Sequence, residues 1–170
     1  MTPRRIVIVA VVCLAVWLTW RYVFPSDEAQ IRRVLESITD AVGSGDAGEG
    51  QVAHIARAAS MRNELDPQIV VDAGPPFSQI SGRDAVVAAV ARLNSMVRDL
   101  DIGLNDVQTT VAPDRTAARS SLTVEASFRD ERGERVVDAR ELDVAFRRLD
   151  GEWVVSQVAL VRALSPITPR

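Results

Sequence analysis

Residues 121–128 read Ser-Leu-Thr-Val-Glu-Ala-Ser-Phe. Leu122, Val124, Ala126 and Phe128 alternate with Ser121, Thr123, Glu125 and Ser127, the period of two expected of a strand with one buried and one wet face. Wound as a helix, the same residues would scatter their apolar side chains around the cylinder.

Downstream, Arg129-Asp-Glu-Arg-Gly133-Glu reads as a polar hairpin loop. Two further strands, at about 134–148 and 152–163, flank a tight Leu149-Asp150-Gly151-Glu152 turn. Trp153 and Phe128 are expected in the core, since large aromatics on strands usually pack. Arg147-Arg148 reads as surface charge. Upstream, a turn at Ala112-Pro113-Asp114 is preceded by alternation of Leu100, Ile102 and Leu104 with Asp99, Asp101 and Gly103.

Before residue 98 the period becomes helical. Ala85, Val86, Ala89, Val90, Leu93 and Val97 mark one stripe, and Ser81-Gly-Arg-Asp84 resembles a capping box at its start. Gln68–Asp72 reads as a short strand, broken by Ala73-Gly74-Pro75-Pro76. Val52, Ile55, Ala56 and Ala59 suggest a shorter helix containing His54, the single histidine, which reads as a surface residue. The first helix of this part opens on Ser26 as N-cap with Asp27 and Glu28 in its first turn, where acids suit the helix dipole. Ile31, Val34, Leu35, Ile38, Ala41 and Val42 follow at helical spacing until Gly43-Ser44-Gly45 ends it. Helices first and strands last imply an α+β domain, three helices on one face of a curved antiparallel sheet, and exclude a doubly wound nucleotide fold.

Ahead of this domain, Ile6–Trp20 carries no charged side chain, and nine of its residues are Ile, Val or Leu. At about −0.3 to −0.6 kcal/mol each, they favour membrane insertion by roughly −3 to −5 kcal/mol. The run ends in bulky residues, not in the small ones a signal peptidase needs, so an uncleaved transmembrane helix through residues 6–24 is expected. Arg4 and Arg5 favour a cytoplasmic N-terminus, which places the domain on the periplasmic side of an inner membrane. The division is a tip and anchor at 1–25, the domain at 26–164 and a loose tail at 165–170.

All 20 basic residues are Arg, and 17 of them lie beyond Pro25 with all 23 acids, a net −6 that argues against nucleic acid as a partner. Cys13 is the lone cysteine and lies in the apolar segment, so no internal disulfide or Cys-rich zinc site forms. No P-loop, dinucleotide turn, Ser-His-Asp set or metal-ligand cluster is present, and neither a metal nor a cofactor is expected.

The element order resembles the nuclear transport factor 2-like superfamily, which includes the ketosteroid isomerase and SnoaL-like cyclase families. The resemblance covers about residues 27–163. It rests on Ile69-Val70-Val71-Asp72 before a loop, Ile80-Ser81-Gly82-Arg83 opening the third helix, and Asp150-Gly151-Glu152-Trp153 in the last turn. It implies a cone whose sheet curls around a pocket, with dimerisation through the sheet. In the isomerase branch the working groups are an aspartate ending the first strand, a tyrosine on the first helix and an aspartate on a late strand. Asp72 stands where the first would be and Asp143 is placed much like the second, so these two are the candidate catalytic residues. The tyrosine is missing, because the single one, Tyr22, belongs to the anchor. Asp72 reads equally as a turn former before Gly-Pro-Pro, and Asp143 as part of a solvated strand face. The expectation is therefore a non-catalytic module binding an envelope protein or a small apolar ligand. The alternative is an isomerase, cyclase or dehydratase with Asp72 as general base.

Overall fold

A computed structural model describes residues 26–43, 51–72, 74, 79–129 and 133–164. Helix α1 (Asp27–Val42) starts as expected, with the Ala29 N–H donating to Ser26 Oγ at 3.2 Å. Helix α2 (Gln51–Ser60) runs into a 3₁₀ turn (Met61–Glu64) and then strand β1 (Leu65–Asp72). After the two-residue strand β2 (Ile80–Ser81) comes helix α3 (Arg83–Met96). Four long strands finish the domain: β3 (Arg98–Val111), β4 (Ala117–Arg129), β5 (Arg135–Leu149) and β6 (Glu152–Leu164).

The strands form one curved, unclosed sheet in the order β2-β1-β6-β5-β4-β3. The meander β3 to β6 is antiparallel throughout, and the β5–β6 hairpin turns on Asp150 and Gly151, both with positive φ, as a two-residue I′ turn requires. The expected all-antiparallel sheet is corrected at one seam. Strand β1 pairs with β6 in parallel, from Leu65↔Val155 to Asp72↔Ala159. Both strands set out from the same end of the domain, so they run the same way. Breaks in register, two of them in the β3–β4 pair, bend the strands and let the sheet curl.

Local expectations needed adjustment in three places. Ser81 does not cap α3; it pairs with Val70 in β2, and Gly82 takes the cap position without a side-chain hydrogen bond. The apolar residues of α2 do not form the stripe the sequence suggested, since Val52 and Ile55 are exposed and Ala58 is buried. Arg147 and Arg148 are not free surface charge, because each reaches a buried aspartate. The proposed anchor at residues 6–24 lies outside the described residues, and no described helix is long and apolar enough to cross a membrane.

The core lies between the helices and the concave face of the sheet. Ile31 and Leu35 of α1, Val86 of α3, Ile69 of β1, Leu122 of β4, and Val144 and Phe146 of β5 meet there. Each fully buried aliphatic or aromatic side chain contributes about 1.5–3 kcal/mol. One end of this layer is closed by charge. Asp27 is buried at the start of α1 and accepts from Arg115 Nε at 2.6 Å, Arg148 Nη2 at 3.0 Å and the Trp153 indole N–H at 3.2 Å. The Arg148 guanidinium also stands 5.0 Å from the Trp153 ring centroid, within cation–π range. Asp66 of β1 is buried close by in sequence to the turn and accepts from the Gln68 N–H and from Arg147 of β5.

The hydrogen bond from Arg115 holds the Asp27 carboxyl below the ordinary aspartate range, aided by Trp153 and the two guanidinium charges and opposed by desolvation. A carboxylate with a lowered pKa adds stability that is full above its unfolded value and is lost as pH falls through the folded one. Asp27→Asn removes the charge beneath two arginines and is expected to destabilise the protein by about 2–3 kcal/mol at pH 7. Urea unfolding at several pH values checks this: the gap between wild type and variant should narrow only below about pH 4.

Candidate functional site

The curl of the sheet and the span of α1 and α3 across it leave a cavity of about 230 Å³. Its floor comes from the concave face: Leu122 and Val124 of β4, Leu142 and Val144 of β5, Val155 and Val158 of β6, and Ile102 and Leu104 of β3. The roof is Leu35, Ile38, Thr39 and Val42 of α1 with Val86 and Val90 of α3. Met61 and the inward residues Leu65, Ile69 and Val71 complete the wall.

This lining follows from alternation. On β4 and β5 the lining residues Leu122, Val124, Leu142 and Val144 stand two apart along each strand, and a strand sends such positions to one face. Among the described lining residues Thr39 alone carries a side-chain hydroxyl, which donates back to the Leu35 carbonyl at 2.8 Å. Among the described lining residues none carries an ionisable side chain. Proton transfer needs an acid or base within hydrogen-bond reach of the reacting atom, and the described lining residues offer none.

The two candidate aspartates lie elsewhere. Asp72 ends β1 with an exposed side chain, and its Oδ1 accepts from the Gly74 N–H at 3.1 Å, an Asx turn that closes the strand. Its neighbour Val71 lines the cavity, so alternation sends Asp72 to the other face. Asp143 sits between the cavity residues Leu142 and Val144, faces the convex side, and accepts from Ser121 Oγ at 2.6 Å. Register does bring the two into one row, since both align with Ala159 from opposite sides. Two strand spacings separate them, roughly 10 Å.

Two buried acids escaped the reading of the sequence. Asp27 looked like a first-turn dipole partner, and Asp66 carried no signal of its own. The indole of Trp153 could have pointed to Asp27, because a buried Trp N–H usually finds an acceptor. Glu64, on the 3₁₀ turn, is pushed above its ordinary range by burial and by Glu152, against a Ser37 hydrogen bond, but it does not line the cavity. No group of His, Cys, Asp and Glu that could hold a metal occurs among the described residues.

Solved structures with this architecture are numerous. A candidate scytalone dehydratase from Novosphingobium aromaticivorans superposes with a TM-score of 0.62 at 16% identity, over 83% of this chain and 93% of its own. The fold is the nuclear transport factor 2-like cone. A hexachlorocyclohexane dehydrochlorinase (LinA type 2) matches with a TM-score of 0.62 at 10% identity, covering 84% of this chain and 90% of that one. A candidate calcium/calmodulin-dependent protein kinase II association domain from Xanthomonas campestris gives 0.63 at 10% identity, with 83% and 90% covered. Enzymes and an assembly domain thus share the cone, and at these identities the likeness extends to the fold alone. No family model matches the chain, and no curated protein matches it.

The placement of the aspartates has a simple consequence. Asn accepts the same turn hydrogen bond as Asp, so Asp72→Asn is expected to leave stability within about 0.5 kcal/mol of wild type. Asp143→Asn on the convex face is expected to do the same. Thermal unfolding of the two variants checks both.

Proposed function

We propose that the domain is a non-catalytic binding module that holds a small apolar ligand inside the cone. One observation carries this reading: the cavity is lined by aliphatic side chains and Met, and its one hydroxyl is already engaged. Such a lining rewards burial of apolar surface and gives a reacting atom nothing to exchange a proton with. A 150 Å³ cavity of this character takes up benzene, so about 230 Å³ suits a substituted ring or a short branched chain.

The isomerase-type alternative, with Asp72 as base, draws on the resemblance to enzymes of the same fold. The exposed, turn-bound carboxylate of Asp72 favours the binding reading over it. The apolar run at residues 6–24 supports a single-pass anchor in an inner membrane, with the module on the periplasmic side. A ligand drawn from a bilayer would suit that placement. The convex face, where Ser121, Asp143 and Ala159 share a row, is covered by no helix among the described residues and is the surface we assign to a second copy or an envelope partner.

The test uses the full chain and an apolar probe such as toluene. A ligand that binds only the folded state at ten times its Kd stabilises by about 1.4 kcal/mol, an upward shift in Tm of roughly 4 °C. Val144→Phe fills part of the cavity and should abolish the shift. Equal shifts in wild type and Val144→Phe, or none in either, would reject the reading. Turnover of a small carbonyl compound that vanishes in Asp72→Asn would establish the enzyme instead.

A further inference from the structure

The apolar character of the concave face stops part-way along β5. At intervals of two from the cavity residues Val144 and Leu142, the next positions on that face are Arg140 and Asp138. The pairing of β5 with β4 is unbroken from Ala117 to Arg129, so no slip in register turns these two to the convex side. Arg140 lies beside Val124, which lies beside Leu104, and both of those line the cavity. Asp138 lies beside Ala126, which lies beside Ile102, another lining residue. Directly paired residues of an antiparallel sheet set their Cβ atoms about 4.5–5.5 Å apart. The two charges therefore border the cavity. They stand far from the Asp27 cluster, with Arg140 about 27 Å from Arg148 along β5 at ~3.4 Å per residue.

Arg140 Nε donates to Asp138 Oδ2 at 2.9 Å, and the two side chains are 20% and 35% exposed. Most of this pair is withdrawn from water, unlike the Arg129–Asp99 pair, where each side chain is more than half exposed. Its neighbours across the sheet are small. Ala126 stands next to Asp138, and Ala163 is set next to Arg140 where the β5–β6 register slips between Glu141 and Leu142. Desolvating two charges is costly, and Leu or Val at these positions would continue the apolar face without that cost.

We propose that the Arg140–Asp138 pair is the polar end of the ligand site, and that the ligand carries a neutral hydrogen-bonding group, a hydroxyl or an amide, on its apolar body. This rests on the cavity being the ligand site and adds the chemical class of what enters it. A guanidinium donates and a carboxylate accepts, whereas a hydroxyl or an amide does both and so matches the pair. An anion would meet Asp138 beside its guanidinium, and a cation would meet Arg140 beside its carboxylate, so the pair favours neither sign. Arg140 lies about 7 Å beyond Leu142 on the same face, a step that a two-carbon arm on a ring seated over Leu142 and Val144 can span.

The experiment follows the full chain in lipid nanodiscs by fluorine NMR. Two probes differ by one hydroxyl: para-fluoroethylbenzene and para-fluorophenylethanol. Wild type is compared with an apolar double variant, Asp138→Leu/Arg140→Leu, and with a polar one, Asp138→Asn/Arg140→Gln, which keeps donors and acceptors without the charges. Each probe is compared with itself across the proteins, so partitioning into the bilayer cancels. The alcohol should bind the apolar variant about tenfold more weakly than wild type and the polar variant within about threefold of it. The hydrocarbon should bind all three proteins within about threefold. On wild type the alcohol should also bind more tightly than para-fluorophenylacetate and para-fluorophenethylammonium, a comparison that needs no variant.

An alcohol affinity unchanged in the apolar variant would overturn the polar end and leave the cavity reading intact. Tighter binding of the carboxylate or the ammonium than of the alcohol to wild type would do the same. So would a hydrocarbon affinity that falls as far as the alcohol's, since the pair would then serve packing and not a ligand. No binding of either probe to wild type would overturn both readings.

Discussion

Asp27 is the constraint on which the arrangement of this domain depends. Its carboxylate lies at the first turn of α1 and takes hydrogen bonds from the β3–β4 turn, from the end of β5 and from the first residues of β6. These contacts span 88, 121 and 126 residues of chain. Three contacts from far along the chain are thereby held at one end of the helix. The Asp66–Arg147 pair ties β1 to β5 in the same manner. The cavity lies farther along α1, against Leu35, Ile38, Thr39 and Val42. Pairing and hydrogen bonding make the buried carboxylates tolerable; left alone, either would strongly oppose folding.

The cavity is informative because it is unfilled. Interiors ordinarily pack to crystal-like density, with few voids larger than a water molecule. Water gains little by entering, since Thr39 offers the one polar side-chain atom and that hydroxyl is engaged. The exposed Asp72 and the convex Asp143 stand outside this space.

Much of this was legible in the sequence, and the exceptions share a cause. Residues 121–128 announced their strand because alternation is local, and Asp150-Gly151 announced its hairpin because positive φ at two residues is local. The seam between β1 and β6 was not legible, since nothing in a strand's own period names a distant neighbour. Ser81 looked like a cap until Val70, eleven positions earlier, took it into a sheet. Val52 and Ile55 misled because α2 buries Ala58, a residue too small to mark a stripe. Asp27, read as a dipole partner, became a hub through residues far along the chain. Alternation named the cavity-lining residues of β4 and β5 but not which side was concave, so Asp143 stayed ambiguous until the helices were placed.

The most direct test is a crystal of the protein equilibrated with xenon, which enters dry apolar cavities and avoids packed or hydrated ones. The account predicts xenon density between α1 and the sheet, in contact with Leu35, Leu122 and Val144, with those side chains undisplaced. Absence of density there, or a cavity closed by rearranged side chains or filled with ordered water, would contradict it.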